Sequence, residues 1–383
     1  MKKTSIYDTK IYSPKHGILI KSRSLESKVK YINAFICDIN EGKILTAASK
    51  LVELGLKDAG YKYVNVDDCS SIKEGREKRT QRLLPDASRC PNGIHGSADK
   101  IHTMDLKIGI YSDAGTLTCG DYLGSLGFED IDGETWAEWD IDYLKYDSCN
   151  VPENWTDTCD FCVPDSSYPY ELVNGTCLSY PGLCSEGYNY FKSDSYERFR
   201  RMQEANQTRR MSGDIYLQWH RILEILNENS FYLNNVDLLG HSDADMLEAA
   251  MKSPLLIGTD LSRISTADLA ILKNEHLLTF NQDPIFGAPA MPYKWGTNPD
   301  WTFNRSFPAE YWSGQSAHGT LVLMFNPYPV TVNQTMTWAE IPSLQEHGPY
   351  CVLDVWTNMN LGPVDESMSV LIESRDTGVY LVT

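Results

Sequence analysis

The sequence predicts an α/β protein, built on a parallel sheet or barrel, with a smaller antiparallel β domain behind it. Three observations predict this. Five strand-like runs each end in an aspartate: YVNVDD at Asp68, LKIGIYSD at Asp113, IDYLKYD at Asp147, RRMSGD at Asp214 and VDLLGHSD at Asp243. Helix-like segments alternate with these runs. After about residue 293 the helices stop, and turn-separated β-rich runs take over. In a (β/α)₈ barrel the C-terminal strand ends converge on one pocket. Acids gathered there without a matching basic cluster point to carboxylate chemistry or metal binding.

The elements follow in order. Residues 46–60 have Thr46 as a capping residue and Gly60 as a terminator, with Leu51, Leu54 and Leu56 largely on one side. YKYVNVDDC is the next strand. A short helix over 132–140, opened by Asp132, precedes IDYLKYD. Alternation along that strand puts Tyr143, Lys145 and Asp147 on one face. A lysine and an aspartate on one face of an otherwise apolar strand make either a buried ion pair or the floor of a pocket. Residues 151–192 read as loop, rich in Pro, Gly, Asn, Ser and Cys. Helices are expected over 194–205 and 217–228, a buried strand in KSPLLIGTDL (252–261), and a helix capped by Ser265 and running to about Leu278. HGTLVLMFNPY, VTVNQTMTW, YCVLDVWT and SVLIESRDTGVYLVT form the antiparallel domain. The expected domain plan is an atypical N-terminal segment (1–28), a catalytic barrel (29–293) and the β domain (294–383).

Spacing qualifies this plan. Asp68 to Asp113 is 45 residues and Asp113 to Asp147 is 34, each enough for one βα unit. Asp147 to Asp214 is 67, filled by a long loop and one helix, and little room follows Asp243. A (β/α)₈ barrel drawn through these runs is incomplete, one strand and one helix short.

Composition excludes some function classes. The 383 residues carry a net charge of −18, which disfavours nucleic acid and anionic membranes as partners and suits a neutral ligand such as a sugar. No apolar run of about 20 residues exists to cross a membrane. The N-terminus has basic residues but no apolar core of a secretory signal. Ten cysteines, four of them at Cys159, Cys162, Cys177 and Cys184, nevertheless suit an oxidising, secreted setting. So do five N-x-[ST] sequons, at Asn154, Asn174, Asn206, Asn304 and Asn333, which are the candidate glycosylation sites. The C-x₂-C pair at Cys159 and Cys162 also fits a zinc ligand pair, but Cys177 and Cys184 are too far apart for a ribbon, which favours disulfides. The eight histidines are scattered, against a metal-dependent hydrolase.

YKYVNVDDC, LKIGIYSDAGTLTCGDYLGSLGFEDID, DYLKYDSCN and RMSGDI resemble the melibiase family, the α-galactosidases of glycoside hydrolase family 27, its secreted fungal B-type members in particular. HSDADMLE, MKSPLLIGTD, NQDPIFGAPA and PYKWGTNPDWTF extend the likeness over roughly residues 33–383. The resemblance implies a (β/α)₈ barrel followed by an antiparallel β-sandwich. It implies release of terminal α-galactose from α-galactoside oligosaccharides or polysaccharides, with retention and without metal or cofactor. It makes Asp147 the nucleophile and Asp214 the acid/base, with Lys145 on the nucleophile's strand face helping to keep Asp147 ionised. It assigns Asp67, Asp68, Lys145 and Arg210 to sugar binding, and Asp243 and Asp245 to supporting the pocket. It pairs Cys37 with Cys69 and Cys119 with Cys149, and is compatible with Cys162–Cys177.

The sequence departs from the family at several points. Val29 and Ile32 stand where pocket tryptophans are expected, and Ser70 where a tryptophan follows the D-D-C motif. Roughly thirty residues, holding the fifth strand and its rim loop, are absent between Ala205 and Asn206, and roughly twenty more precede AAMKSPLL. These losses frame the competing reading, a catalytically impaired or inactive relative with at most weak sugar binding.

Overall fold

The computed structural model describes residues 37–147, 149–152, 172–173, 176–177, 208–210, 218–233, 241–243, 250, 252, 255, 257–344 and 348–383. Asp214, Asp245, Cys159, Cys162, Cys184, the sequons at 154, 174 and 206, and the helix expected at 194–205 lie outside the described residues. For Cys177, Arg210 and Asp243 only the backbone is described. The described chain forms two compact units, one within 37–207 plus 257–263, the other within 208–256 plus 264–383.

The first unit begins with helix α1, Glu41–Glu53. Its cap is Asn40, whose side chain accepts from Lys43 N at 3.0 Å, satisfying one of the amides a helix start leaves open. Thr46, expected to cap, instead lies inside the helix and donates to Gly42 O at 2.7 Å. The helix stops at Leu54, not at Gly60, because Gly55 turns left-handed at φ 68°. Ala48 and Leu51 are its fully buried residues.

Strand β1 (Tyr63–Asn65), helix α2 (Gly93–Thr103), strand β2 (Lys107–Asp113), helix α3 (Glu129–Glu138) and strand β3 (Tyr143–Asp147) follow. The strands form one parallel sheet in the order β1-β2-β3. Its register aligns Asn65 with Gly109 and Tyr143, Tyr111 with Lys145, and Asp113 with Asp147. Side chains alternate, so these residues share one face. Val64, Val66, Ile108 and Ile110 fall on the other face and are buried. Gly109 is needed where it stands, since a Cβ there would lie 2.0 Å from Asn65 Oδ1. Two short strands, β4 (Leu172–Val173) and β5 (Thr176–Cys177), pair antiparallel in the loop-like region.

Helix α3 starts three residues before the expected Asp132. Glu129, Asp130 and Asp132 all sit in its first turn, complementing the helix dipole. Asp132 has a different role, being fully buried and gripped by Arg76. The guanidinium reaches Asp132 Oδ1 at 2.5 Å and Oδ2 at 2.8 Å, donates to Gly124 O at 2.8 Å, and stacks 4.1 Å from the Phe128 ring. With side-chain exposures of 6% and 0%, removing one partner strands a buried charge. Arg76→Ala is expected to cost about 3–5 kcal/mol, read as a lowered urea midpoint. Arg76→Met with Asp132→Leu should recover most of it, because the pair is then replaced by packed apolar groups. A single variant as stable as the parent would show that solvent reaches the pair.

In the second unit β6 (Thr208–Arg210) runs parallel to β7 (His241–Asp243), in register from Thr208–His241 to Arg210–Asp243. Helix α4 (Trp219–Tyr232) lies between them in sequence. No strand ladder forms among the described residues of 252–261. The helix expected from Ser265 to Leu278 is two helices, α5 (Thr266–Leu272) and α6 (Glu275–Asn281). Ser265 caps the first as expected. Asn274, extended at ψ 113°, restarts the second by accepting from Leu277 N.

Strands β8 (Met291–Lys294), β9 (Tyr311–Ser316), β10 (Gly319–Phe325), β11 (Val332–Thr337), β12 (Tyr350–Asp354), β13 (Met359–Val364), β14 (Ser367–Ile372) and β15 (Thr377–Val382) complete the unit. Six form an antiparallel sheet in the order β13-β12-β15-β10-β9-β8, and β11 pairs with β14. The unbroken apolar run Leu321–Phe325 is explained by burial on both faces. Leu321 and Leu323 pack with Ile222 and Ile225 of α4 and Leu277 and Phe280 of α6. Val322 and Met324 pack with Met336 and Ile372 of the facing pair.

Candidate active site

The carboxylates that bear on function stand at the C-terminal ends of β1, β2 and β3, where a parallel sheet opens its ligand site. Asp67 and Asp68 follow β1 directly. Asp67 Oδ1 accepts from Asp68 N at 2.9 Å, and its Oδ2 lies 3.2 Å from Lys145 Nζ. Asp68 is held more tightly. Its Oδ1 accepts from Cys69 N at 2.7 Å and Thr118 Oγ1 at 2.9 Å, and its Oδ2 from Gly120 N at 2.8 Å. A Cβ on Gly120 would stand 2.9 Å from that oxygen, so a glycine lets the backbone approach. Three donors leave part of the carboxylate's acceptor capacity open.

Two disulfides frame this rim. Cys37 joins Cys69 with Cα atoms 5.3 Å apart, and Cys119 joins Cys149 at 5.1 Å. Cys69 has a left-handed φ of 74°, an unusual conformation for a residue with a side chain and one found at constrained sites. The second bridge ties the loop that donates to Asp68 to the segment just beyond Asp147.

Asp147 is the last residue of β3. Tyr111 OH donates to its Oδ2 at 3.2 Å, and Cys119 Sγ packs 3.5 Å from the same oxygen. A disulfide sulfur has no proton to give, so of these two neighbours Tyr111 is the hydrogen-bond donor. Burial, followed by the charges of Asp147, Asp68, Asp67 and Asp113, pushes the Tyr111 phenol far above its ordinary range, so it stays a donor. Lys145 Nζ lies 5.0 Å over the Tyr111 ring. Tyr111, Lys145 and Asp67 thus form one row, and Asp113 with Asp147 the next.

Asp113 is wholly buried. Its Oδ1 accepts from Gly115 N at 2.7 Å and its Oδ2 from Cys149 N at 2.8 Å. Burial first, and the Asp147 charge as well, raise its pKa, and the backbone amides of Cys149, Gly115 and Asn150 oppose that rise. It fastens the turn after β2 to the turn after β3, where Ala114 N also donates to Asp147 O at 2.7 Å. The Asp113, Cys119, Asp147 and Cys149 ligand atoms crowd within 4.8 Å. Both cysteines are oxidised and offer no thiolate, so this donor set does not fit a metal.

Asp67, Asp68, Lys145 and Asp147 are therefore brought together on one rim. Tyr111 and the positioning role of Asp113 were not singled out by sequence reasoning. The period-two alternation along LKIGIYSD carried the signal for both, because Tyr111 and Asp113 occupy the same face as the Asp147 row. Ser70 is buried and offers no aromatic surface at the rim.

Comparisons with known proteins point to one family. A family profile described as alpha galactosidase A matches residues 33–247, and one described as alpha galactosidase C-terminal beta sandwich domain matches 306–382. A Penicillium simplicissimum protein named "Probable alpha-galactosidase B" is 48% identical over 397 aligned positions, covering 91% of each chain. The Aspergillus oryzae protein of the same name is 46% identical over 401 positions, again covering 91% of each. Among solved structures, alpha-galactosidase I from Mortierella vinacea superposes with a TM-score of 0.71 at 25% identity, covering 97% of both chains. The Saccharomyces cerevisiae alpha-galactosidase solved with raffinose has a TM-score of 0.70 at 21% identity, with the same coverage.

Proposed function

Because this chain belongs to the α-galactosidase family, glycoside hydrolase family 27, with its (β/α)₈ barrel and C-terminal β-sandwich, we propose that Asp147 and Asp214 carry out a retaining double displacement on its α-galactoside substrates. The chain is a glycosidase that releases terminal, non-reducing α-D-galactose. Melibiose, raffinose-type oligosaccharides and galactomannan are the substrate class we infer. The observation that carries this reading is the Asp147 carboxylate at the end of β3, hydrogen-bonded by Tyr111 in a row beside Lys145 and Asp67.

In the first step Asp147 attacks the anomeric carbon while Asp214 protonates the departing oxygen. In the second, Asp214 takes a proton from water, which displaces Asp147. The two inversions sum to retention. Asp67 and Asp68 accept from the sugar hydroxyls, and Lys145 and Arg210 add donors. Lys145, anchored on Asp67, keeps a positive charge beside the reacting centre. To Asp243 and Asp245 we assign a supporting role. Secretion is the setting we infer, and the two disulfides support it.

The match to the Penicillium protein runs over 397 positions but uses 91% of 383 residues, so about 50 of its positions face no residue here. A shortfall of this size is what motivates the second reading, an impaired enzyme. Proton NMR of early hydrolysis of an aryl α-galactoside tests both. We expect α-galactose to accumulate first and mutarotate later. β-Galactose first would refute the retaining assignment. Folded protein that binds galactose without turnover would establish the impaired reading.

A further inference from the structure

Helix α4 meets the segment between β8 and β9 at two points. At one, the Phe231 ring lies 6.2 Å from Trp301 and 5.9 Å from Phe303. At the other, about two turns earlier, Glu224 holds two cations. Its Oε2 accepts from Arg221 Nη1 at 2.7 Å, and its Oε1 pairs with Arg305 Nε at 3.1 Å. Residues 224, 228 and 231 share one helix face, so Glu228 stands between the ring contact and the ion pair. Among the described residues no donor is bonded to the Glu228 carboxylate. Burial raises its pKa and Glu224 adds to the rise, while Arg221 and Arg305 oppose it.

The rings themselves stay in water. Trp301 is 50% exposed and Phe303 42%. Wholly buried Trp295 backs Trp301 at 4.8 Å. The turn that presents the indole is tied down, since Trp295 N donates to Asp300 Oδ1 at 2.8 Å and Thr302 N to Pro299 O at 3.2 Å. Trp301 has a left-handed φ of 59°, a costly conformation for a bulky residue and one that gathers at ligand sites. Exposed apolar surface held in this way marks an interaction site.

The mixture of groups selects the ligand. A purely apolar partner would strip water from Glu228 and Arg305 and give them no hydrogen bonds. An anionic partner would meet a chain of net charge −18. A pyranose suits both halves of the patch. Its C–H face packs on an aromatic ring, and the hydroxyls at its edge can bond a carboxylate and a guanidinium.

We propose that Trp301 and Phe303, with Glu228 and Arg305 beside them, form a second carbohydrate site that holds a hexopyranose unit of galactomannan without hydrolysing it. The choice of polymer rests on the substrate class inferred above.

The test is affinity electrophoresis of the full chain in native gels cast with galactomannan, with mannan lacking galactose, or with no polymer. Galactomannan should retard the parent, and retard Asp147→Asn equally, because binding here needs no turnover. Trp301→Gly accepts the left-handed backbone and removes the indole, and should weaken binding at least about tenfold. Phe303→Ser should weaken it at least about threefold, whereas Trp301→Tyr keeps a ring and should stay within about threefold of the parent. A cooperative thermal transition and an unchanged rate on an aryl α-galactoside separate a lost platform from a lost fold. Retardation by mannan as well would place a backbone mannose on the indole, and retardation by galactomannan alone a side-group galactose; either supports the site. Folded parent without turnover that still shows retardation dependent on Trp301 would refute the catalytic reading and support this site. An unretarded parent would overturn the proposal. So would folded Trp301→Gly or Phe303→Ser retarded as strongly as the parent.

Discussion

Asp147→Asn is expected to lower kcat on an aryl α-galactoside by at least about 10³-fold with the fold intact. The amide is close in size to the carboxylate, and its oxygen can still accept from Tyr111, which lies 3.2 Å from Oδ2 in the parent. What is lost is the charge needed to form the glycosyl ester, since an amide is a poor nucleophile. Thermal unfolding should stay within a few degrees of the parent, separating chemistry from folding. Asp147→Ala opens space for an external nucleophile. Azide should then attack the face that Asp147 used and yield β-galactosyl azide. Retained turnover in Asp147→Asn, or α-galactosyl azide from Asp147→Ala, would remove Asp147 from the nucleophile's role.

Asp214→Ala should give a loss that depends on the leaving group. For raffinose-type substrates the departing alcohol needs a proton, and the expected loss is on the order of 10²–10⁴-fold, the usual share of general acid catalysis. For a dinitrophenyl galactoside the leaving group departs unaided, so the first step should stay fast. The second step then limits, because no base activates water, and a burst of phenol should precede a slow steady state. Azide needs no base. It should restore the rate and give α-galactosyl azide, the opposite anomer to that expected from Asp147→Ala. Equal losses for both substrates, with no burst and no azide effect, would assign Asp214 a binding or structural role instead.

Much of the site was legible before the structure was known. A strand pattern terminating in aspartate is local information, and it placed Asp67, Asp68 and Asp147 at strand ends. The alternation in IDYLKYD put Lys145 and Asp147 on one face, which the β2–β3 register shows as two consecutive rows. Element boundaries were less legible. Asn40 rather than Thr46 caps α1 because a side-chain oxygen must sit outside the helix to reach its free amides, and Gly55 ends that helix before Gly60 can. The break at Asn274 was hidden for the same reason: Ser265 and Asn274 are both good caps, and only packing selects two helices over one.

By itself the sequence carried the family motifs, the aspartates at the strand ends and the change from helices to β-rich runs after about residue 293. These depend on residue type and on spacing along one chain. Tertiary structure alone decided that the Lys145 ammonium lies on Asp67, that Tyr111 donates to Asp147, and that Thr118 and Gly120 hold Asp68. It alone decided that Asp132 serves as the counter-ion of Arg76 rather than as a helix opener. Those partners are separated by 36 to 78 residues. Which distant groups meet follows from strand register and from the need to pair every buried charge, and neither is a property of any local stretch of sequence.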